Sequence, residues 1–364
     1  MKKAKLISII LVFCILIGGA SLWLFAKEDG EISVWERRKL QQFPVLKWES
    51  VMDGKFMKEF VSYLSDQFPL RDELRRLKAQ VLFNLYQQKD NGGIYIQDGF
   101  ASKIDAVINS GSVDHFTSRI GYLYDTYLKD SDCRVYYSII PDKNYFLAEK
   151  GGYPHLDYDE LYCLLSERLS YMSEIEIKHL LSAEDYYTTD THWRQEKITD
   201  VANEIRKAMG LSEVTDFTEK TMGDFYGVYY GQSALPLPPD TLTYLINDEL
   251  EGCTVKNFEN GSESKVYNEE KYTGLDPYDV YLSGAVSMLE ITNPMGEKGK
   301  ELVVFRDSFG SSLVPLLLSS YSKVTLVDTR YISPDMISQF MSFGNQDVLF
   351  IYSTLLVNSS STLK

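Results

Sequence analysis

Residues 302–318 read LVVFRDSFGSSLVPLLL and decide the fold. The apolar run 302–305 is typical of a short buried strand, and the run 313–318 is typical of a buried helix. Between them lies Ser308, on the turn that leads from strand to helix. A serine in this place is raised from the sheet, beside backbone N–H groups that have no partner within the helix. Because such N–H groups can stabilise an oxyanion, Ser308 is a candidate nucleophile.

The sequence around this turn predicts an α/β fold. Two further apolar runs, residues 324–327 and 348–352, follow the first strand, with helical segments between them. This alternation is typical of a parallel sheet with helices on both faces. A β-rich run at residues 133–140 supplies another strand.

A candidate base for the serine lies in the segment Thr189-Asp190-Thr191-His192-Trp193. His192 is one of only four histidines in the chain, so few residues can act as a general base near neutral pH. The Asp190 carboxylate, two residues away, would orient and charge-balance the imidazolium, and Trp193 would keep water away from the ring. Taken singly, the serine could be a helix cap and the Asp-x-His a surface pair. Together they predict a triad of Ser308, His192 and Asp190, with Asp307 in a structural role.

Lys143 follows the 133–140 strand in the segment Pro141-Asp142-Lys143. Ligands of open α/β sheets bind at the carboxyl ends of the strands. Two interpretations stay open: contact with a substrate carbonyl or hydroxyl, and a structural salt bridge.

These segments, taken together, resemble the DHHW proteins, which are relatives of the alginate O-acetylation proteins among the SGNH-hydrolase-like enzymes. The resemblance extends to residues 36–44, 66–71, 141–143 and 328–331, and so covers most of the chain after residue 30. Thr191 stands where the DHHW name has its first histidine, and Gly284-Ala285 stands where an asparagine is common.

The resemblance implies an SGNH-hydrolase-like, flavodoxin-like domain that transfers acyl groups through an acyl-serine. It implies that acetyl is moved onto hydroxyls of an extracellular polysaccharide, with a membrane-bound O-acyltransferase as the donor partner. It also implies that Arg330 and Tyr352, at the ends of neighbouring strands, support the oxyanion beside the Ser308 N–H. Two alternatives to an acyltransferase stay open: an acetylesterase with the same triad, and a non-catalytic polysaccharide-binding scaffold.

The composition and the motifs of the chain limit which kinds of ligand it can bind. The formal net charge of −15 argues against nucleic acid, because phosphate binding needs basic patches. The sequence contains no nucleotide-binding pattern and no Cys/His spacing for a metal, so we expect neither cofactor nor metal. Aromatic residues at 225–230 suit either sugar stacking or core packing.

The N-terminus predicts the location. Residues 6–26 are free of charge and long enough to span a bilayer, with lysines before them and acidic residues after them. We therefore expect a cytoplasmic tip and signal anchor at 1–27 and an extracytoplasmic catalytic domain at 28–364, in a single-pass membrane protein. A cleaved signal peptide is the alternative.

Overall fold

The computed structural model describes residues 2–364, so Met1 of the predicted cytoplasmic tip lies outside the described residues. The chain forms two compact units. The smaller unit contains the chain up to Gly92 together with Tyr230–Pro236, and the larger contains Gly93–Tyr229 and Leu237–Lys364.

The smaller unit is mainly helical. Its helices are α1 (Lys2–Ala26), α2 (Trp48–Met52), α3 (Lys55–Asp66) and α4 (Arg71–Asn84), and its short strands are β1 (Ile32–Ser33), β2 (Arg38–Lys39) and β3 (Asp90–Asn91). Strands β1 and β2 pair in antiparallel fashion. The apolar periodicity at residues 54–88 correctly predicts α3 and α4, which are separated near Pro69 because proline cannot donate to a helical hydrogen bond.

Helix α1 contains the predicted membrane-spanning segment. Its Lys5–Ala26 part is long and apolar enough to cross a bilayer, and only 6% of its most apolar window is buried. This agreement concerns length and composition alone, and a cleaved signal sequence would satisfy the same criteria.

An ion network holds the smaller unit together after α1. Arg38 makes a bidentate contact with Asp66, with N–O distances of 2.6 and 2.8 Å. Glu36 receives Arg71 at 2.5 Å and Arg75 at 3.3 Å. The charged residues of segments 36–44 and 66–71 thus meet in one cluster and fix the start of α4.

The larger unit alternates strands and helices. Its strands are β4 (Ile94–Gln97), β5 (Phe100–Lys103), β6 (Arg134–Ile140), β7 (Ser173–Glu174), β8 (Thr218–Phe225), β9 (Asp240–Ile246), β10 (Thr254–Asn257), β11 (Glu263–Ser264), β12 (Met288–Thr292), β13 (Glu297–Arg306), β14 (Tyr321–Val327) and β15 (Asp347–Ser353). Its helices are α5 (Ser110–Leu123), α6 (Lys143–Gly151), α7 (Tyr158–Arg168), α8 (Thr199–Ala208), α10 (Asp248–Gly252), α11 (Phe309–Leu317) and α12 (Thr354–Val357), while α9 (Val228–Ser233) crosses the boundary between the units.

The main sheet has eight strands in the order β11-β10-β12-β14-β13-β15-β6-β7. The predicted strands at residues 302, 324 and 348 are neighbours and run parallel, and β6 and β7 continue the parallel part. The sheet is mixed, however, because β12, β10 and β11 pair in antiparallel fashion along one edge. These three strands belong to the segment between residues 254 and 292, which lacks a crossover helix long enough to return a strand in the parallel direction.

Helices cover both faces of this sheet. Along β13, Leu302 and Val304 lie in one hydrophobic cluster, together with residues of α8 and α11. Val303 and Phe305 lie in a second cluster, together with residues of α5 and α7. Successive side chains of a strand point to opposite faces, so a continuous apolar run here buries both faces.

Two sequence-based boundaries differ from the structure. The mixed acidic and apolar residues at 158–180 predict a helix over this range, but α7 ends at Arg168, because the following residues form β7 on the edge of the sheet and Ile175 donates its N–H to the Tyr137 carbonyl. The sequence of residues 253–272 predicts exposed antiparallel strands with a glycine-containing turn, and β10 and β11 form such a pair, which ends at Ser264. The four cysteines are all free thiols.

Candidate active site

The candidate nucleophile lies on the predicted turn. Strand β13 ends at Arg306 and helix α11 begins at Phe309, so Ser308 occupies the two-residue connection. The Asp307 carboxylate accepts hydrogen bonds from the Phe309 N–H at 3.0 Å and the Ser353 N–H at 2.8 Å. Asp307 thereby ties the start of α11 to the end of β15 and makes the turn rigid.

Ser308 itself keeps both of its polar groups available. Its backbone is helical (φ −63°, ψ −24°), and its hydroxyl makes no capping bond to α11. Within residues 2–364, no backbone or side-chain acceptor takes the Ser308 N–H. A free N–H at a helix N-terminus is a donor suited to developing negative charge.

The segment with His192 forms a tight loop. Tyr186 and Trp193 face each other in an antiparallel bridge, and the Tyr187 N–H donates to the His192 carbonyl at 3.0 Å. This closed loop places Asp190 and His192 on adjacent sides of one turn, although the turn is 116 residues away from Ser308 in sequence.

The loop brings the three predicted residues together. His192 Nε2 lies 2.7 Å from Ser308 Oγ, and His192 Nδ1 lies 2.6 Å from Asp190 Oδ1. Asp190 is fully buried and His192 is 6% exposed, whereas Ser308 is half-buried. The other carboxylate oxygen of Asp190 accepts the Val228 N–H at 2.9 Å. This geometry holds the imidazole with its Nε2 toward the hydroxyl, while the catalytic roles stay a prediction.

Tyr278 is a site residue that the sequence did not indicate. Its ring stacks on His192 with a centroid separation of 3.8 Å and an interplanar angle of 6°. Its hydroxyl donates to Ser312 Oγ at 2.7 Å, which fixes the ring from the far end. The segment around Tyr278 carries no pattern that would have placed it over a histidine 86 residues earlier.

Trp193 lies beneath the site and does not line it. Its side chain is fully buried, and its indole N–H donates to Ser312 Oγ at 2.9 Å and to the Phe309 carbonyl at 3.1 Å. It therefore joins the His192 loop to the helix that follows Ser308. Thr191, at the position of the missing histidine, accepts the Tyr229 hydroxyl at 3.1 Å.

Lys143 supports the same loop. Its ammonium donates to the backbone carbonyls of Tyr187 at 2.7 Å and Thr188 at 3.3 Å, and it lies 5.1 Å from the Tyr229 ring centre. This contact with backbone matches neither of the two interpretations taken from sequence. Burial lowers the pKa of Lys143 to about 7, although nearby aspartates, Asp240 first among them, act in the opposite direction.

Asp240 and Gly227 complete the loop's support. The Asp240 carboxylate accepts the N–H groups of Thr188 at 2.6 Å and Thr189 at 2.7 Å. Gly227 approaches Asp190 so closely that a Cβ at position 227 would lie 2.3 Å from the Asp190 Cα. Neither residue follows from sequence, because Gly227 follows β8 and Asp240 begins β9, both far along the chain from the loop.

Arg330 and Tyr352 lie apart from these contacts. Arg330 makes a bidentate pair with the buried Asp328, at 2.9 and 2.6 Å. The Tyr352 ring is 1% exposed and packs edge-on against Phe116, with centroids 5.4 Å apart. Within the described chain, no hydrogen bond, ion pair or ring contact joins either side chain to Ser308 or His192, although the Asp307 carboxylate acts on both side chains electrostatically, and their support of the oxyanion stays a prediction.

The aromatic stretch at 225–230 largely packs inward. Phe225 and Tyr229 are buried, and Phe225 packs edge-on against Tyr187. Tyr226 is half-buried. In the larger unit the core-packing interpretation therefore holds for two of these rings.

Comparison with known proteins agrees with the resemblance drawn from these segments. Residues 168–327 match the family model described as DHHW protein. The resemblance to the DHHW family is confirmed. The matched range includes Asp190, His192 and Ser308. No curated protein matches the chain significantly.

Solved structures show the same fold. A DHHW family protein from Eubacterium siraeum aligns over 74% of this chain and 93% of its own, with 19% identity and a TM-score of 0.59. Bacillus cereus PatB1 aligns over 72% of this chain and 96% of its own, with 20% identity and a TM-score of 0.59. A second PatB1 structure carries a sulfonyl adduct and aligns over 72% of this chain and 95% of its own, with 19% identity and a TM-score of 0.57.

A glycine substitution tests how tightly the Asp190 loop is held. Gly227→Ala would place a methyl group 2.3 Å from the Asp190 backbone, which must move by about 1 Å. Because a displacement of this size costs on the order of 10² in rate, we expect hydrolysis of a chromogenic acetyl ester to fall by about that factor. Gly121→Ala is the matched control, since its nearest neighbour would be 3.6 Å away. Equal activities of the two variants would contradict the prediction.

A buried carboxylate beside Lys143 predicts a pH effect on stability. Burial raises the pKa of Asp142 to about 6 from 3.8, so the folded chain binds more protons than the unfolded chain between about pH 4 and pH 6. The free energy of unfolding of the wild type should therefore fall as pH rises through this window, and Asp142 should contribute up to about 3 kcal/mol to this fall. Asp142→Asn removes the effect.

The measurement is urea unfolding of the full chain in detergent between pH 4 and 7. The stability of Asp142→Asn relative to wild type should increase as pH rises through the window. Asp130→Asn, at an exposed position, should show a flat difference. A flat difference for Asp142→Asn as well would show that Asp142 ionises freely in the folded chain.

Proposed function

We propose that this protein is a serine acyltransferase that O-acetylates an extracellular polysaccharide through an acyl-Ser308 intermediate. The observation that carries the proposal is the hydrogen-bonded series from Asp190 through His192 to Ser308, with distances of 2.6 and 2.7 Å. A serine hydroxyl is a weak nucleophile, and such a series activates it at neutral pH.

The first half-reaction forms the acyl-enzyme. Ser308 Oγ attacks the acetyl carbonyl of the donor while His192 Nε2 takes the hydroxyl proton. The carbonyl oxygen becomes an oxyanion that accepts the Ser308 N–H, and Asp190 stabilises the imidazolium through Nδ1–H. The bond from carbonyl carbon to leaving oxygen then breaks, and that oxygen receives the proton from His192.

The second half-reaction repeats these steps with the acceptor. A sugar hydroxyl gives its proton to His192 Nε2 as its oxygen attacks the acetyl carbonyl. The bond to Ser308 Oγ breaks, and Oγ recovers the proton, so the product is an acetylated sugar and free Ser308. With water in place of the sugar, the same steps make an esterase. Transfer therefore requires that the acceptor hydroxyl be positioned at the acetyl carbonyl and that water be largely excluded from the site.

The surroundings of His192 favour such a partly dry site. Tyr278 covers one face of the imidazole at 3.8 Å, and Phe309 lies 5.0 Å from the ring centre. The imidazole is accordingly only 6% exposed, so water has little access to it. We propose that Trp193 and Lys143 position the loop from beneath, and that Arg330 and Tyr352 act through the strand ends that carry them.

The comparisons support acyl transfer without deciding it. The family resemblance points to acetyl groups and polysaccharide. The sulfonyl adduct of PatB1 is the kind of product that an activated serine hydroxyl forms with a sulfonyl reagent. From the same resemblance we propose a membrane-bound O-acyltransferase as the partner that supplies acetyl.

The location follows from α1. We propose that residues 6–26 remain as a single membrane anchor and that the catalytic domain is extracytoplasmic, because lysines precede the helix and acidic residues follow it. An external domain of this kind meets extracellular polysaccharide directly and receives acetyl across the membrane.

Removal of the nucleophile or the base tests the activity. Ser308→Ala and His192→Ala should each reduce release of acetate from a chromogenic ester by a factor on the order of 10³ or more, because the three residues act as a unit. The matched controls are Ser170→Ala and His179→Ala, which should keep full activity. His179 forms an exposed pair with Glu176 at 3.0 Å and so reproduces the His–carboxylate contact without a serine.

Acceptor oligosaccharides then separate the outcomes. Acetylated sugar, detected by mass spectrometry and absent with Ser308→Ala, is expected. Acetate release without acetylated sugar would indicate an esterase. If Ser308→Ala folds and keeps near wild-type turnover, the catalytic assignment of Ser308 is wrong. If the wild type binds sugar but turns over no ester, the protein is a non-catalytic scaffold.

A further inference from the structure

The smaller unit exposes far more large apolar side chains than the larger unit does. Beyond α1 it has sixteen exposed large hydrophobic side chains, whereas the whole larger unit has eight. Trp48 is 78% exposed, Met52 is 71% exposed and Leu85 is 74% exposed. Apolar side chains exposed in this number indicate a surface that another apolar phase or molecule covers, where they adjoin one another.

Helix α4 has a row of exposed apolar side chains along one face. Leu70, Leu74, Leu77 and Val81 are all exposed and recur at intervals of four and three residues, which is the spacing of one helix face. Ala79 is 1% exposed, so the helix packs inward through this small residue and presents Leu74, Leu77 and Val81 outward.

Helix α3 extends this surface. Val61, Leu64 and Phe68 of the α3 region form an apolar groove with Leu74, with an accessible volume of about 530 Å³. Met57 and Val61, one turn apart, are more than half exposed. We call the exposed face of residues 48–85 the apolar face.

The apolar face is fixed next to the end of α1. Gln67, which is 1% exposed, accepts the Gly30 N–H at 2.9 Å and donates to the Gly30 carbonyl at 2.9 Å. Tyr63 donates its hydroxyl to Asp29 at 3.1 Å. Leu24, in the last turn of α1, is 4% exposed. The end of α3 is therefore hydrogen-bonded to the residues that follow Ala26, where the proposed anchor would leave the bilayer.

Charge in this region suits a lipid surface. Residues 47–85 carry seven lysines and arginines against six aspartates and glutamates, in a chain whose net charge is −15. Lys47, Lys58 and Lys78 are exposed and adjoin Trp48, Met57 and Leu77 in sequence. Lysines beside tryptophan and aliphatic residues are typical of helices that lie in the bilayer interface.

We propose that the apolar face lies in the bilayer interface beside α1, as a second membrane contact. The proposal rests on α1 being retained as the anchor and goes beyond the catalytic proposal. A contact of this kind restricts the rotation of the smaller unit about the anchor, because two elements linked by Gln67 and Tyr63 must both stay at the membrane.

Spin labels on the full chain, reconstituted in phosphatidylcholine vesicles with and without phosphatidylglycerol, test the proposal. Cys133→Ser and Cys163→Ser leave Cys14, in α1, as a native label site. Cys253 stays, because it is buried and burial raises the pKa of its thiol to about 12. Further chains carry Cys14→Ser with either Leu77→Cys on the apolar face or Lys207→Cys at an exposed position of α8.

The readout is the ratio of label accessibility to oxygen, which concentrates in lipid, over that to a water-soluble nickel chelate. We expect this ratio at Leu77→Cys to be several-fold above that at Lys207→Cys and to approach that at Cys14. With the label moved to Val81→Cys, Leu70→Glu with Leu74→Glu should lower the ratio toward the Lys207→Cys value.

Four results would overturn or redirect the proposal. Nickel access at Leu77→Cys equal to that at Lys207→Cys means an aqueous face. Low access of both reagents to Leu77→Cys means that protein covers the apolar face. Spin–spin broadening that disappears on dilution with unlabelled chain means that this protein is a second copy of the chain. A low oxygen ratio at Cys14 itself would remove the anchor, separately from the acyltransferase assignment.

Discussion

The hydrogen bond between His192 Nε2 and Ser308 Oγ joins two parts of the larger unit that have no common secondary structure. Ser308 lies on the main sheet, at the end of β13, whereas His192 lies in a loop between β7 and α8. A separation of 2.7 Å between such elements requires that both be held rigidly. Much of the polar interior serves this requirement.

Buried ionisable side chains hold the loop through hydrogen bonds. Lys143, Asp190 and Asp240 are each less than a tenth exposed, and taking charges out of water costs several kcal/mol unless they are paired and hydrogen-bonded. Here Lys143 donates to the loop carbonyls, and Asp240 accepts the loop N–H groups. Displacement of the loop would therefore leave these buried groups without their hydrogen-bond partners. Asp307 holds the turn at Ser308 in a similar way, by accepting the backbone N–H groups of Phe309 and Ser353.

The sequence indicated the parts of this arrangement that depend on local pattern. The strand, turn and helix around Ser308 were predictable because apolar runs and a short polar turn are local features. Asp190 and His192 were identifiable because the Asp-x-His spacing brings the two side chains together within one loop. Tyr278, Asp240 and Gly227 were not identifiable, because each reaches the site through a tertiary contact with a distant segment. The antiparallel pair at residues 254–264 follows from its local pattern, but its attachment to the main sheet through β12 does not, since apolar content does not specify which strand a strand pairs with.

Covalent labelling with an aryl sulfonyl fluoride tests most directly whether the Asp190–His192–Ser308 series activates the serine. The chain contains many other serines and tyrosines, so the modified residue must be identified by peptide mass spectrometry. We predict one sulfonyl group per chain, located on Ser308, with a rate that falls at least a hundredfold, on the order expected for loss of a general base, in His192→Ala. Labelling of Ser308 at the same rate in wild type and His192→Ala, or labelling spread over other residues while Ser308 stays unmodified, would contradict the account.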